Sequence, residues 1–314
     1  MAVFLIRRLI DCTIVLVVMS FVVYALIGLM PGDPIDLMVT SDPTLSAADI
    51  ARLKALYGLD RPLIDRYLAW AGDALQGKFG YSRLYVQPAA AIVSDRLGNT
   101  VLLMGLAFAL AAAIALPAGA IAAQKSGRLA DHVINLVAFA GISMPQFWLA
   151  ILAIIVFAVL LGWLPAGGMG NGSIGDTLRH LALPVFTLAI ASIGGLLRYT
   201  RGATREVLRQ DFIRTARAKG LSESRVLWGH AMRNAMIPVV TILALDFGAL
   251  FSGALITETM FSWLGMGKTI YDAIMGNDYN LALLGLLIAT ALVLLCNLLA
   301  DLAYAWLDPR VRLR

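Results

Sequence analysis

Several stretches of this sequence carry residues able to bind a partner or do chemistry. The longest is polar: residues 211–238 read DFIRTARAKGLSESRVLWGHAMRNAMIP, deep inside an otherwise apolar chain. Asp211 suits an N-cap, Phe212 to Lys219 have room for about two helical turns, and Gly220 suits the left-handed residue that closes a helix. Ser222 can cap a second helix from about Glu223, which Pro238 limits or kinks. The chemistry on offer is docking. Cationic Arg214, Arg217 and Lys219 alternate with small Ala216, Ala218 and Gly220, leaving gaps where another protein's backbone can approach closely. The same composition also fits a basic cytosolic loop of the kind most inner-membrane proteins carry.

Two further groups lie in apolar runs. Asp246 sits within TILALDFGALFSGALI, where an ionisable side chain is costly and marks a functional candidate. It suits either attraction of a cationic group, such as a peptide amino terminus or a metal complex, or pairing with a neighbouring helix. Ser143, Met144, Pro145 and Gln146 interrupt another run. A polar residue beside a proline at membrane depth must face protein or water, so the four either line a pathway or form a structural kink.

Other signals carry less. Gly267, Lys268 and Thr269 read GKT, but a phosphate-binding loop needs glycine at 262, where Ser262 stands, and no apolar strand leads into it. No nucleotide site is expected in the chain itself. The glycines of GWLPAGGMGNGSIGD serve turns. Cys12 and Cys296 fall inside apolar runs, and His132, His180 and His230 lack ligand spacing, so no disulfide framework and no metal site are expected. There is no HExxH, no GxSxG and no nucleophile with its base, so an enzyme is not expected.

These groups must be positioned by membrane helices. The 314 residues are 60% hydrophobic and 14% charged, with a mean hydropathy of +0.81, far too apolar for an ordinary soluble domain. A hydrocarbon core about 30 Å thick needs roughly 20 helical residues. Six runs meet that length or nearly so, at about residues 9–30, 99–123, 133–161, 181–200, 237–257 and 281–305. The first is too long for a signal peptide and no A-x-A site follows, so it reads as a retained span. The net charge of +5 gathers in short loops, which the positive-inside rule explains without nucleic acid as a partner. That rule places Lys125, Arg128, the loop 198–238 and both termini in the cytoplasm. Residues 31–98 are then an external insertion, with helical pieces in SAADIARLKALYGL and in DRPLIDRYLAWAGDALQG, where Leu63, Tyr67, Trp70 and Leu75 are available to pack. Asn297 and Asp301 in the last span read as helix contacts, or as interfacial in the case of Asp301.

The run RTARAKGLSESRVLWGHAMRNAMIP resembles the cytoplasmic "EAA" loop of ABC importer permeases, in the form found in the dipeptide, oligopeptide and nickel permease family. Arg214 stands where the general importer pattern has an acidic residue, and Pro238 lies further beyond Gly220; both departures fit that branch. PGDP, YGLDRPL and the ending YAWLDPRVRLR are also similar to the family, so the likeness covers nearly the whole chain. The resemblance implies an all-α polytopic fold of the type I importer kind: one permease domain over 1–314, with the external insertion 31–98 and the coupling loop 198–238 inside it. It implies a half-transporter in the bacterial inner membrane that passes peptides or related small solutes inward. The partners implied are a second homologous permease, two cytosolic ATPase subunits or domains that bind ATP and Mg, an external solute-binding protein and membrane lipid. Matching the motif residue by residue places Arg214, Thr215, Ala216, Arg217, Ala218, Lys219, Gly220 and Leu221 at the ATPase contact, within a coupling segment over 211–225. The rival readings are a secondary transporter or channel that works without an ATPase, for which no internal repeat is visible, and a scaffold with the basic loop as its binding feature.

Overall fold

The computed structural model describes residues 2–29 and 61–307. The expected helix in SAADIARLKALYGL and the PGDP motif lie outside the described residues, as does the end of YAWLDPRVRLR. The elements are α1 (Ala2–Gly28), α2 (Leu63–Leu75), a two-stranded antiparallel hairpin of β1 (Tyr81–Ser82) and β2 (Gln87–Pro88), α3 (Ala89–Gln124), α4 (Leu129–Ser143), α5 (Gln146–Ala153), α6 (Ile174–Val207), α7 (Asp211–Ala218), α8 (Glu223–Arg225), α9 (Met232–Met260), α10 (Met266–Met275) and α11 (Tyr279–Leu307). A π-helical turn, Ile154–Leu160, extends α5, and another, Val226–Ala231, joins α8 to α9 without a break.

Among the described residues, five helices are long and apolar enough to cross a membrane, within α1, α3, α6, α8–α9 and α11; the bent pair of α4 with α5 and its π turn, counted as one span, makes a sixth. The helices overrun the expected apolar runs, because polar turns continue them past the hydrocarbon. Ala89 to Gly98 belong to α3, so the helix that makes the second crossing begins at Ala89. Pro117, Pro184 and Pro238 all lie inside helices. Pro238 therefore does not limit the helix that follows the polar loop, since neighbouring helices can tolerate one lost backbone bond in a span.

The described residues form two units. One is built on Gly98–Lys268 with the chain from Leu292. Its centre is α6 against α9, with α4 also on α6. Small residues set these distances: a Cβ on Gly194 would strike Ile142 and the Ala138 carbonyl, and one on Gly119 would come within 2.8 Å of the Leu197 carbonyl. Gly248 faces Cys296 and Asn297 of α11.

The other unit holds residues 6–97 with Thr269–Ala291. There, Tyr67 and Trp70 of α2 pack on Phe21 and Tyr24 of α1, whereas Leu75 is 91% exposed. Buried Asp278 fastens the hairpin, accepting from Ser82 Oγ and from the Leu84 and Leu281 amides.

Candidate functional site

The polar loop forms two helical arms around an elbow. In α7 the N-cap is Gln210; Asp211 is the first helical residue and makes no side-chain cap, one position later than the sequence suggests. A carboxylate there still favours the positive end of the helix. Ile213 and Ala216 are buried against Ala120, Val207, Val226, Leu227, Ala231, Met232 and Ala235, with Leu221 half-buried beside them. Burying Ile213 contributes about 1.5–3 kcal/mol, more than an eight-residue helix gains from its own backbone.

The spacing of those two residues sets what is left outside. Phe212, Arg214, Thr215, Arg217, Ala218, Lys219 and Gly220 are exposed. Ala216 is not on that outer face; its small side chain lets α7 approach this chain's own core, which corrects the expectation that it is open to a partner. The helix closes as anticipated at Gly220, with φ of +76°. The Gly220 amide donates to the Arg217 carbonyl (2.9 Å) and the Leu221 amide to the Ala216 carbonyl (3.4 Å), the double bond pattern of a glycine C-cap. A Cβ built on Gly220 meets nothing within 4 Å.

The charges are not equivalent. Arg217 Nε and Nη2 donate to the two carboxylate oxygens of Glu223 at 2.8 and 3.0 Å, and Gln124 Nε2 donates to the Glu223 carbonyl at 3.2 Å. Arg217 is thus engaged within the loop. Arg214 reaches only Asp211, both strongly exposed, a pair of little strength. Ser222 occupies the N-cap of α8 without a side-chain bond.

Next to this loop, Arg201 of α6 grips Asp131 of α4 with Nε and Nη2 at 2.7 and 2.8 Å. Asp131 is 2% exposed and also accepts from the Gly127 amide and Asn135 Nδ2, so a charge taken from water is fully bonded. Sequence reasoning missed this pair, because Arg201 falls within the basic loop 198–238. The available signal was an aspartate opening an apolar helix between Arg128 and His132.

The pathway candidates are split. Met144 and Pro145 are extended and break the third crossing by 101°, leaving Ser143 and Gln146 as the ends of α4 and α5. The residue before a proline is pushed out of the helical region, which explains the break. Ser143 Oγ folds back on the Phe139 carbonyl. Gln146 Nε2 donates to Thr257 Oγ1 at 3.0 Å and lies against Gly253 of α9. Asp246 lies beside Ser192 of α6, and its Oδ2 is buried without a hydrogen-bond partner.

A second missed carboxylate is Glu258, 0% exposed at the end of α9. It accepts from Thr100 Oγ1 (2.6 Å) and the Lys268 amide (3.0 Å), while Thr100 Oγ1 accepts from the Met266 amide (2.7 Å). The GKT tripeptide thus forms the first turn of α10, and its backbone serves this carboxylate.

A membrane-crossing helical unit with a docked cationic helix is the architecture of a transporter's membrane subunit. The chain belongs to the family of binding-protein-dependent transport system inner membrane components: that family matches residues 115–313, and its N-terminal companion matches residues 1–104. It is 39% identical to the oligopeptide transport system permease protein AppB of Bacillus subtilis, over 99% of each chain. It is 36% identical to the glutathione transport system permease protein GsiC of Escherichia coli K12, over 98% of each. The fold is similar to the crystal structure of an amino acid ABC transporter, with a TM-score of 0.54 and 15% identity over 69% of this chain and 94% of that one. The protein is a multi-pass membrane permease of the ABC importer class.

Proposed function

We propose that this chain is one half of the membrane pathway of a peptide importer, and that α7 with the Gly220 elbow is its contact to a cytosolic ATPase. The observation that carries the reading is the division of α7 into a buried side, Ile213 and Ala216, and an outer side with Phe212, Arg214, Thr215, Ala218 and Lys219 free of the chain's own core. A helix fixed to the spans on one side and open on the other can carry a partner's movement into α6 and α9. Arg214 and Lys219 meet acidic groups of the partner, and Gly220 sets how closely it approaches; Arg217 and Leu221 hold the elbow from within.

The remaining parts follow from the same reading. A second permease of similar fold completes the pathway, two ATPase subunits rather than this chain bind the ATP and Mg, and an external binding protein delivers cargo. Both termini and α7 face the cytoplasm. Gln146 and Asp246, at or beside the seams of α6 with α9, border the route along which a peptide's polar groups pass, and the break at Ser143, Met144 and Pro145 lets that wall move. Peptides are the cargo class best supported by the relatives' names, with glutathione, itself a peptide, within it.

Purification of the chain from its native membrane in mild detergent tests this. ATPase subunits and a second permease should stay bound, and the reconstituted assembly should accumulate peptide only with ATP. A solitary chain that moves solute without ATP would establish the secondary-transporter reading instead.

A further inference from the structure

We infer that α2 is an interfacial helix, seated in the membrane leaflet at the Gly28 end of α1, with Ile64, Leu68 and Leu75 immersed in lipid. The starting point is depth. Arg7 and Arg8 keep the hydrocarbon stretch of α1 from beginning before them, and the twenty residues from Arg8 to Gly28 rise about 30 Å, one hydrocarbon thickness. Ser20 is eight residues before Gly28, about 12 Å inside that boundary. Its Oγ lies 2.8 Å from the Tyr67 hydroxyl of α2. The Tyr67 ring stands edge-on to Phe21 and Tyr24, at 5.1 and 5.7 Å, and Trp70 lies 5.7 Å from Tyr24. At its start α2 stays by the boundary, since a Cβ on Gly28 would come 3.4 Å from Leu63. A helix held by these contacts cannot stand off in water.

The periodicity of α2 then divides its surface into three. At 3.6 residues per turn, Leu63, Tyr67 and Trp70 share the face turned to α1. The adjoining sector carries Ile64, Leu68 and Leu75, which are 60, 60 and 91% exposed. Asp65, Gly72 and Asp73 lie beyond, also exposed. The apolar arc is therefore wider than α1 can cover. On α1 itself Val18 and Leu26 are likewise uncovered, 54 and 60% exposed. Tyr67 reaches inward to Ser20, while Tyr24, four residues or about 6 Å before Gly28, and Trp70 beside it lie nearer the boundary, where Tyr and Trp concentrate. One helix side on protein, one in acyl chains and one in water is the arrangement of an interfacial amphipathic helix. The consequence is mechanical: α2 plants the chain leading to the β1–β2 hairpin on the membrane surface.

Nitroxide labels read this directly. The full-length chain, with Cys12 and Cys296 replaced by serine, is given single cysteines as Ile64→Cys, Leu68→Cys, Leu75→Cys, Asp65→Cys, Gly72→Cys or Asp73→Cys, all at exposed positions that leave packing unchanged. It is reconstituted in phosphatidylethanolamine and phosphatidylglycerol vesicles, and power saturation compares collisions with oxygen, which partitions into lipid, and with a water-soluble nickel chelate. The oxygen-to-nickel ratio should be at least about threefold higher at 64, 68 and 75 than at 65, 72 and 73. Nickel access at 64, 68 and 75 would place the stripe in water, and access by neither reagent would place it under a second protein chain; either result overturns the inference.

Discussion

Arg217 and Glu223 close a two-bond fork across the Gly220 elbow, at 2.8 and 3.0 Å, so the last turn of α7 is tied to the first turn of the helix that becomes α9. Their side chains are 41 and 55% exposed, which limits the pair's worth to under about 1 kcal/mol of stability. Its value lies in the angle it fixes between α7 and the helix that becomes α9.

Glu223→Gln should therefore change the stability of the purified chain by under about 1 kcal/mol and leave its melting temperature nearly unchanged. In the reconstituted assembly it should raise the ATP consumed per peptide imported. Stoichiometry equal to wild type would mean that the elbow angle does not matter for coupling.

Gly220 separates a backbone effect from a contact effect. Its φ of +76° makes any side chain cost about 1 kcal/mol, yet no atom of this chain stands within 4 Å of the new Cβ. Gly220→Ala and Gly220→Trp should thus melt alike, while only the tryptophan blocks ATP-driven uptake. If uptake falls equally in both, the loss comes from the backbone and the partner contact is refuted.

Much of this was legible in the sequence, and the misses have physical causes. Composition and run length give the helical crossings, because a hydrocarbon core demands unbroken apolar helices. Gly220 is readable because a left-handed residue after a helical run has few occupants. The inward turn of Ala216 is not, since Ala216 and Ala218 are equally small and only the phase of α7 on the core distinguishes them. Pro238 misleads because packing overrides a local helix breaker. Asp131–Arg201 and Glu258–Thr100 join residues 70 and 158 positions apart, and such pairs exist only once helices are placed.

The Asp131–Arg201 pair makes a double-mutant prediction. Asp131 is 2% exposed, so Arg201→Met strands a buried carboxylate and should cost about 2–4 kcal/mol, below the range for pairs without solvent because Arg201 keeps a quarter of its side chain in water. Adding Asp131→Leu should recover more than half of the loss. Thermal unfolding in detergent decides: additive losses in the double variant would show that the two residues act independently.

The last prediction concerns Gly265. A Cβ there would overlap the Glu258 carboxylate, and no flexible end is free to yield, because that carboxylate is held by Thr100 Oγ1 and the Lys268 amide. Gly265→Ala must push the carboxylate off its donors and leave them buried without acceptors, a cost of roughly 2–4 kcal/mol. Shortening Glu258 to alanine is itself destabilising, but it removes the obstacle. Gly265→Ala in the Glu258→Ala background should then add less than about 0.5 kcal/mol, so the cycle shows strong coupling between the positions. The reading is melting temperature in detergent for the four proteins. An undiminished penalty in the Glu258→Ala background would mean that Gly265 is required by its own backbone, and that the carboxylate is not what keeps the position small.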